Sequence, residues 1–372
     1  TLNQNLNLLI PKMFLKIYQN YLIKLFLKSI FIVLSVFLTL SFFLNILGEI
    51  KFFQNYEVSI FFTIFLTLLN IPSIAFELFP FIFLIATQLF FMKLHDNGEL
   101  IVLKNYGLSN LKIIKLLLYI SLSCGIFIIT IFYNFSSELK HSYLSFKNNY
   151  TEDNKYLAVV NENGLWIRDE IDNKINIINA ESLNENILKK VIISQFNNEY
   201  KFLKTINSEK VDIKNFDWIL KDNLIFEENK LPVKKDEILF KSNFDNNKVR
   251  SFFSNLTSQN ILELIKTEKD YKLLGYSTVE INLFIQKLIS LPIYLTIMVV
   301  LGSILMLNTK YNRSKVINII IGIISSVVIY YLNYFINLMG EAERIPFMVS
   351  IWTPFLLLGI VCLIGLIRVN EK

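Results

Sequence analysis

An α-helical membrane protein with six transmembrane helices, three on either side of an inserted all-β, jelly-roll-like domain, is the fold class that this sequence predicts. Three observations predict it. Six apolar blocks are long enough for the roughly 20 helical residues that a bilayer core requires. Lysines gather at alternate ends of those blocks, as topology demands of loops on the inner side. The stretch from Ser136 to about Glu280 is polar, holds no segment able to span, and alternates with period two.

The expected divisions are residues 13–135 for the first three helices, 136–278 for the external β domain with its flanking helices, and 279–372 for the last three helices. The first span covers about 26–47, and Lys12, Lys16, Lys24 and Lys28 before it put the N-terminus in the cytoplasm. Residues 48–57, with Glu49 and Lys51, read as a short external turn. The apolar run 59–92 is too long for one straight span and carries Pro72 and Pro80. It is read as an interfacial helix up to Asn70, a break, and a second span over 71–92. The third span is about 116–135. In the polar domain, Lys210 to Lys214, Trp218 to Leu220 and Leu224 to Phe226 read as half-buried strands, with Lys221-Asp222-Asn223 as a turn. A short helix over 258–269 leads back. Spans over 279–307, 316–339 and 347–367 follow, with Lys310, Arg313 and Lys315 on the inner loop. Met13 is expected as the initiating residue, which would make 1–12 dispensable.

Between the second and third spans lies the best-punctuated stretch of the chain, Asp96 to Lys112. Asp96 is expected to cap a short amphipathic surface helix over about 97–107, with Glu99 completing a capping box. Leu100, Leu103 and Ile101 are expected on one face and Lys104 off it. Gly107 suits the left-handed residue that ends a helix, and Ser109 can cap the next. Such an element gives a soluble partner something to push on.

The chain has 372 residues, 53% of them hydrophobic, with a formal net charge of +6. Its mean hydropathy of +0.46 belongs to an integral membrane protein. The positive charge does not argue for nucleic acid, because the lysines flank apolar blocks. Cys124 and Cys362 both sit inside such blocks and build no disulfide framework. His95 and His141 fall on opposite sides of the third span, so no metal site is expected. No Gly-x-x-x-x-Gly-Lys-Ser/Thr loop is present, so nucleotide hydrolysis by this chain is not expected.

A set of residues in order along this topology resembles the permease subunits of lipopolysaccharide export, the LptF/LptG (YjgP/YjgQ) family. The set comprises Pro72, Glu77 and Pro80, Gly98-Glu99-Leu100 with Gly107-Leu108-Ser109, and Gly164-Leu165-Trp166-Ile167-Arg168-Asp169. Lys287 with Pro292, Arg313-Ser314, and Ile345-Pro346 with Pro354 complete it. The match runs from about Met13 to the C-terminus, and the Gly-Leu-Trp-x-Arg-Asp stretch favours LptG. The resemblance implies a bacterial inner-membrane permease subunit with a periplasmic domain, paired with an LptF-type paralogue. It implies an LptB-type ATPase dimer on the cytoplasmic face and an LptC-type periplasmic protein. Lipopolysaccharide would be the cargo, handed to a bridge toward the outer membrane, with no cofactor.

Each candidate residue has a plainer reading beside the functional one. By resemblance Glu99, with Leu100, Leu103 and Gly107, forms the ATPase-coupling helix; the plainer reading is a capping glutamate serving its own helix. Lys51 resembles the family's basic residue at the outer end of the first span, where an anionic headgroup would enter; the alternative is snorkelling. The chain has Asn45 where some members carry a further lysine. Glu77 and Lys287 are intramembrane charges that either line the lipid path or pair structurally, Glu77 with Lys51 or Lys287. Arg344 meets headgroups or its neighbours Glu341 and Glu343. Trp166 is expected in a core, with Arg168 on the same strand. An LptF-type subunit, a membrane enzyme with an external β domain, and a scaffold permease of another ABC class with its spans split one and three are the competing readings.

Overall fold

The computed structural model describes residues 17–150, 165–171, 173–184, 186–227, 230–246, 248–249, 255–273, 276–307 and 315–370. The candidate start at Met13 and the residues Lys12, Lys16, Gly164, Lys310, Arg313 and Ser314 lie outside them. Among the described residues six helices are long and apolar enough to cross a membrane. They are α1 (Ile17–Phe53), α2 (Ile60–Asp96), the continuous run from α4 (Asn110–Phe127) into α5 (Asn134–Asn148), α7 (Val279–Leu307), α8 (Lys315–Glu341) and α9 (Phe347–Asn370). The surface helix α3 (Glu99–Asn105) precedes α4, and α6 (Ile261–Leu273) precedes α7.

Two expectations about these helices fail for one reason. The break proposed near Asn70 is absent: α2 is a single helix of 37 residues through both Pro72 and Pro80. The turn proposed over 48–57 is shorter, because α1 continues to Phe53 and makes Glu49 helical. A backbone in hydrocarbon has no water to replace a lost hydrogen bond, so helix continuation outweighs proline's local cost. The third span also runs on. A π-helical turn, Ile128–Tyr133, joins α4 to α5, which ends only at Asn148.

The chain divides into two compact units, 1–41 with 77–130 and 287–372, and 42–76 with 131–286. In the first, Leu84 of α2, Met298 of α7 and Ile329 of α8 are buried together, with Tyr294 and Leu358 against them. Gly125 is required there, since a Cβ would lie 2.6 Å from the Cα of Pro292. Asn318, Gly322, Ser326 and Ile329 form the buried stripe of α8, and Gln88 Nε2 donates to the Asn318 carbonyl at 2.8 Å. Small residues let helices approach closely in lipid, where apolar burial alone gives no preference for a neighbouring helix.

In the second unit a six-stranded antiparallel sheet follows the chain in order: β1 (Leu165–Ile171), β2 (Lys174–Asn184), β3 (Ile187–Asn197), β4 (Phe202–Asp212), β5 (Asp217–Glu227) and β6 (Val233–Lys241). Among the described residues this is one meander rather than two sheets with crossing connections. Its buried face carries Leu165, Ile167, Ile178, Ile193, Val211 and Trp218, and Phe244, just beyond β6, packs into the same core. Trp218 Nε1 donates to the Phe244 carbonyl at 2.6 Å. Trp166 is not in that core; it is 54% exposed, because period two turns it away from Leu165 and Ile167. Nor is Lys221-Asp222-Asn223 a turn, since β5 runs through it. Asp222 takes φ +54° as a single left-handed residue, and Asn223 Nδ2 donates back to the Leu220 carbonyl. The ladder skips one level in four successive pairings, at Glu181, Lys190, Glu209, Asp222 and Asp236, which creases the sheet across its strands.

Candidate functional site: the surface-helix corner

The corner between α2 and α4 is built by two glycines. Gly98 has φ +69° and is the N-cap of α3, so Asp96 does not cap it and no capping box forms. A left-handed residue here swings the chain sharply out of α2, which leaves Asp96 too far back to reach the amides it was expected to cap. Asp96 instead accepts a hydrogen bond from Lys315 Nζ at the start of α8. At the other end Gly107 has φ +79°; its amide bonds the Lys104 carbonyl, and the Leu108 amide bonds the Leu103 carbonyl. This is a Schellman closure. Ser109 then caps α4 as expected, accepting from the Lys112 amide.

Glu99 heads α3. Tyr21 Oη on α1 donates to Glu99 Oε2 at 2.7 Å, and Asn97 Nδ2 donates to Oε1 at 2.9 Å. Leu100 and Leu103 are half-buried, whereas Ile101 and Val102 are each 52% exposed and Tyr106 is 84% exposed. Ile101 therefore leaves the face it was expected to share, since each residue turns the helix by about 100°. None of the residues of α3 is buried. Beside Asp96, which Lys315 engages, the corner thus offers the Glu99 carboxylate and three exposed apolar side chains to anything that meets it.

The intramembrane and boundary charges are arranged differently from the corner. Lys51, in the last turn of α1, and Glu77, Lys287 and Arg344 are all exposed. Among the described residues Glu77 and Lys287 form no ion pair, so the structural pairing expected between them is not found.

What the sequence reading missed is a buried polar cluster on α1, α2 and α5. Glu49 and Lys147 pair at 2.9 Å with both side chains nearly fully buried, and Tyr143 Oη donates to Glu49 Oε1 at 2.6 Å. The Lys147 ammonium also lies 4.4 Å from the centre of the Phe52 ring. Two turns back along α5, Lys140 Nζ donates to Asn70 Oδ1 at 2.6 Å, and Asn70 Nδ2 to Asn45 Oδ1 at 3.4 Å. The available signal was the i, i+7 spacing of Lys140 and Lys147 on a helix that was expected to end earlier.

Six spanning helices with an antiparallel sheet inserted between the third and fourth define a multi-pass membrane protein. A family model, "Lipopolysaccharide export system permease LptF/LptG", matches residues 20–368, nearly the whole chain. The chain belongs to that family. A search of curated proteins found no match.

Proposed function

We propose that this chain is a permease subunit, of the LptG type, in an ATP-driven transporter that extracts lipopolysaccharide from the bacterial inner membrane. An LptF-type paralogue would pair with it, an LptB-type ATPase dimer would supply the energy, and an LptC-type protein would receive lipid beside the periplasmic sheet. The observation that carries the proposal is the family match over 20–368, read with a solvent-facing helix that presents Glu99 at its head. Lys51, Glu77, Lys287 and Arg344 are the charges we assign to the lipid path. An exposed lysine at a helix end suits a phosphorylated headgroup, which needs cations near the bilayer surface. Glu99, Leu100, Leu103 and Gly107 form the coupling helix. A guanidinium meeting Glu99 would make a charge-assisted bond, and Ile101, Val102 and Tyr106 give the apolar contact around it.

The test is purification from native membranes in mild detergent, followed by reconstitution. A paralogous permease and an ATPase dimer should accompany the chain, and ATP should release lipopolysaccharide from proteoliposomes. Glu99→Ala should leave ATP hydrolysis running while lipid release falls at least about tenfold, the loss of one charge-assisted bond. Unchanged ATPase binding and lipid release with that variant would refute the role of α3.

A further inference from the structure

The Glu99 carboxylate, on which coupling to the ATPase is placed above, already has two donors within the chain. They are not equivalent. Asn97 lies two residues before Glu99 and moves with the same corner. Tyr21 is 78 residues away on α1. That part of α1 is well anchored: Leu22 and Phe26 are fully buried, and the Phe26 ring meets Phe83 and Phe90 of α2 edge-on at 6.4 and 5.7 Å. The Tyr21 ring itself stays 44% exposed. The phenol therefore stands at the edge of a fixed surface and ties the first span to a helix that buries none of its own residues.

We propose that Tyr21 is a positioning residue for coupling, which holds the Glu99 carboxylate against α1 until a cation of the nucleotide-hydrolysing partner takes Oε2 in its place. This rests on the reading of α3 as the docking helix. The competition follows from donor chemistry. A phenol is a neutral donor to the carboxylate, whereas a guanidinium or ammonium adds the attraction of opposite full charges to the same hydrogen bond. Oε2 is within reach because Glu99 is only half-buried. Asn97 keeps Oε1 throughout, so the carboxylate does not lose its orientation when the exchange occurs. Release of Tyr21 then frees α1 from α3, and docking at the corner is felt on the first span.

The experiment compares Tyr21→Phe, Glu99→Ala and the double variant in the reconstituted transporter. The two readouts are the affinity for the ATPase subunit and the ATP hydrolysed per lipopolysaccharide released. Removing the phenol hydroxyl should tighten ATPase binding about tenfold or more, since a hydrogen bond to a charged group no longer has to be broken. It should also raise the ATP used per lipid released, because α1 no longer senses the exchange. In the Glu99→Ala background the same change should alter neither readout. Equal effects of Tyr21→Phe with and without Glu99, or looser ATPase binding, would overturn the proposal. Should Glu99→Ala alone leave binding and coupling untouched, the docking assignment of α3 fails first and this inference with it.

Discussion

Glu49 and Lys147 show what burial does to a pair of charges. With both nearly excluded from solvent, each is tolerable only because the other is there. Glu49→Gln strands the Lys147 ammonium and should cost about 3 kcal/mol or more, whereas Glu49→Leu with Lys147→Met should cost clearly less. Thermal midpoints of the single and double variants in detergent decide it; an equal or larger loss in the double variant would contradict the argument. Tyr271 offers a pH-dependent check in the same unit. Burial, then the Glu280 carboxylate and Tyr276, push its phenol up to about 12 from an ordinary value near 10. The protonated form is the one the folded state favours. Its contribution is therefore fully present below about pH 10 and is lost as pH rises through about 12. Unfolding followed by tyrosinate absorbance between those values should show a loss of stability that Tyr271→Phe flattens.

Among the elements, the C-terminal end of α3 and the start of α4 were the most legible. Gly107 and Ser109 sit where turn chemistry placed them, because a left-handed C′ residue and an N-cap hydroxyl satisfy backbone groups that only a few residue types can serve. Ser109→Ala should weaken the start of α4 by about 1 kcal/mol. Amide exchange at Lys112 should then quicken about fivefold, a change confined to that first turn. Asp96 was misread because its partner, Lys315, is 219 residues away. The same limit hid the continuity of α2: proline's local penalty is readable in sequence, but the absence of any alternative for backbone groups in lipid is a property of the surroundings. Trp166 and Trp218 each stand second in their strand, yet only Trp218 is buried, because the core-facing positions are the odd ones in β1 and the even ones at the start of β5. That parity is set by which neighbours face the core.

At the scale of the whole molecule, the six spans and the inserted sheet were already apparent from hydropathy and period, and the family match over 20–368 agrees with them. Composition and local pattern sufficed there because a span is defined by length and apolarity within one contiguous stretch. The positions of Gly107, Lys287 and Arg344 within their elements could likewise be read from local pattern, whereas Glu99 heads α3, Lys51 is helical and Glu77 lies mid-way along an unbroken α2, none of which was expected. What each side chain touches could not be read locally. Tyr21 on Glu99, Lys147 on Glu49 and Gln88 on the carbonyl of Asn318 join residues 78, 98 and 230 positions apart. Helical periodicity places a residue on a face, but which other face it meets depends on how helices pack. In lipid that packing is selected by small residues and polar contacts rather than by apolar content, which nearly every position here shares.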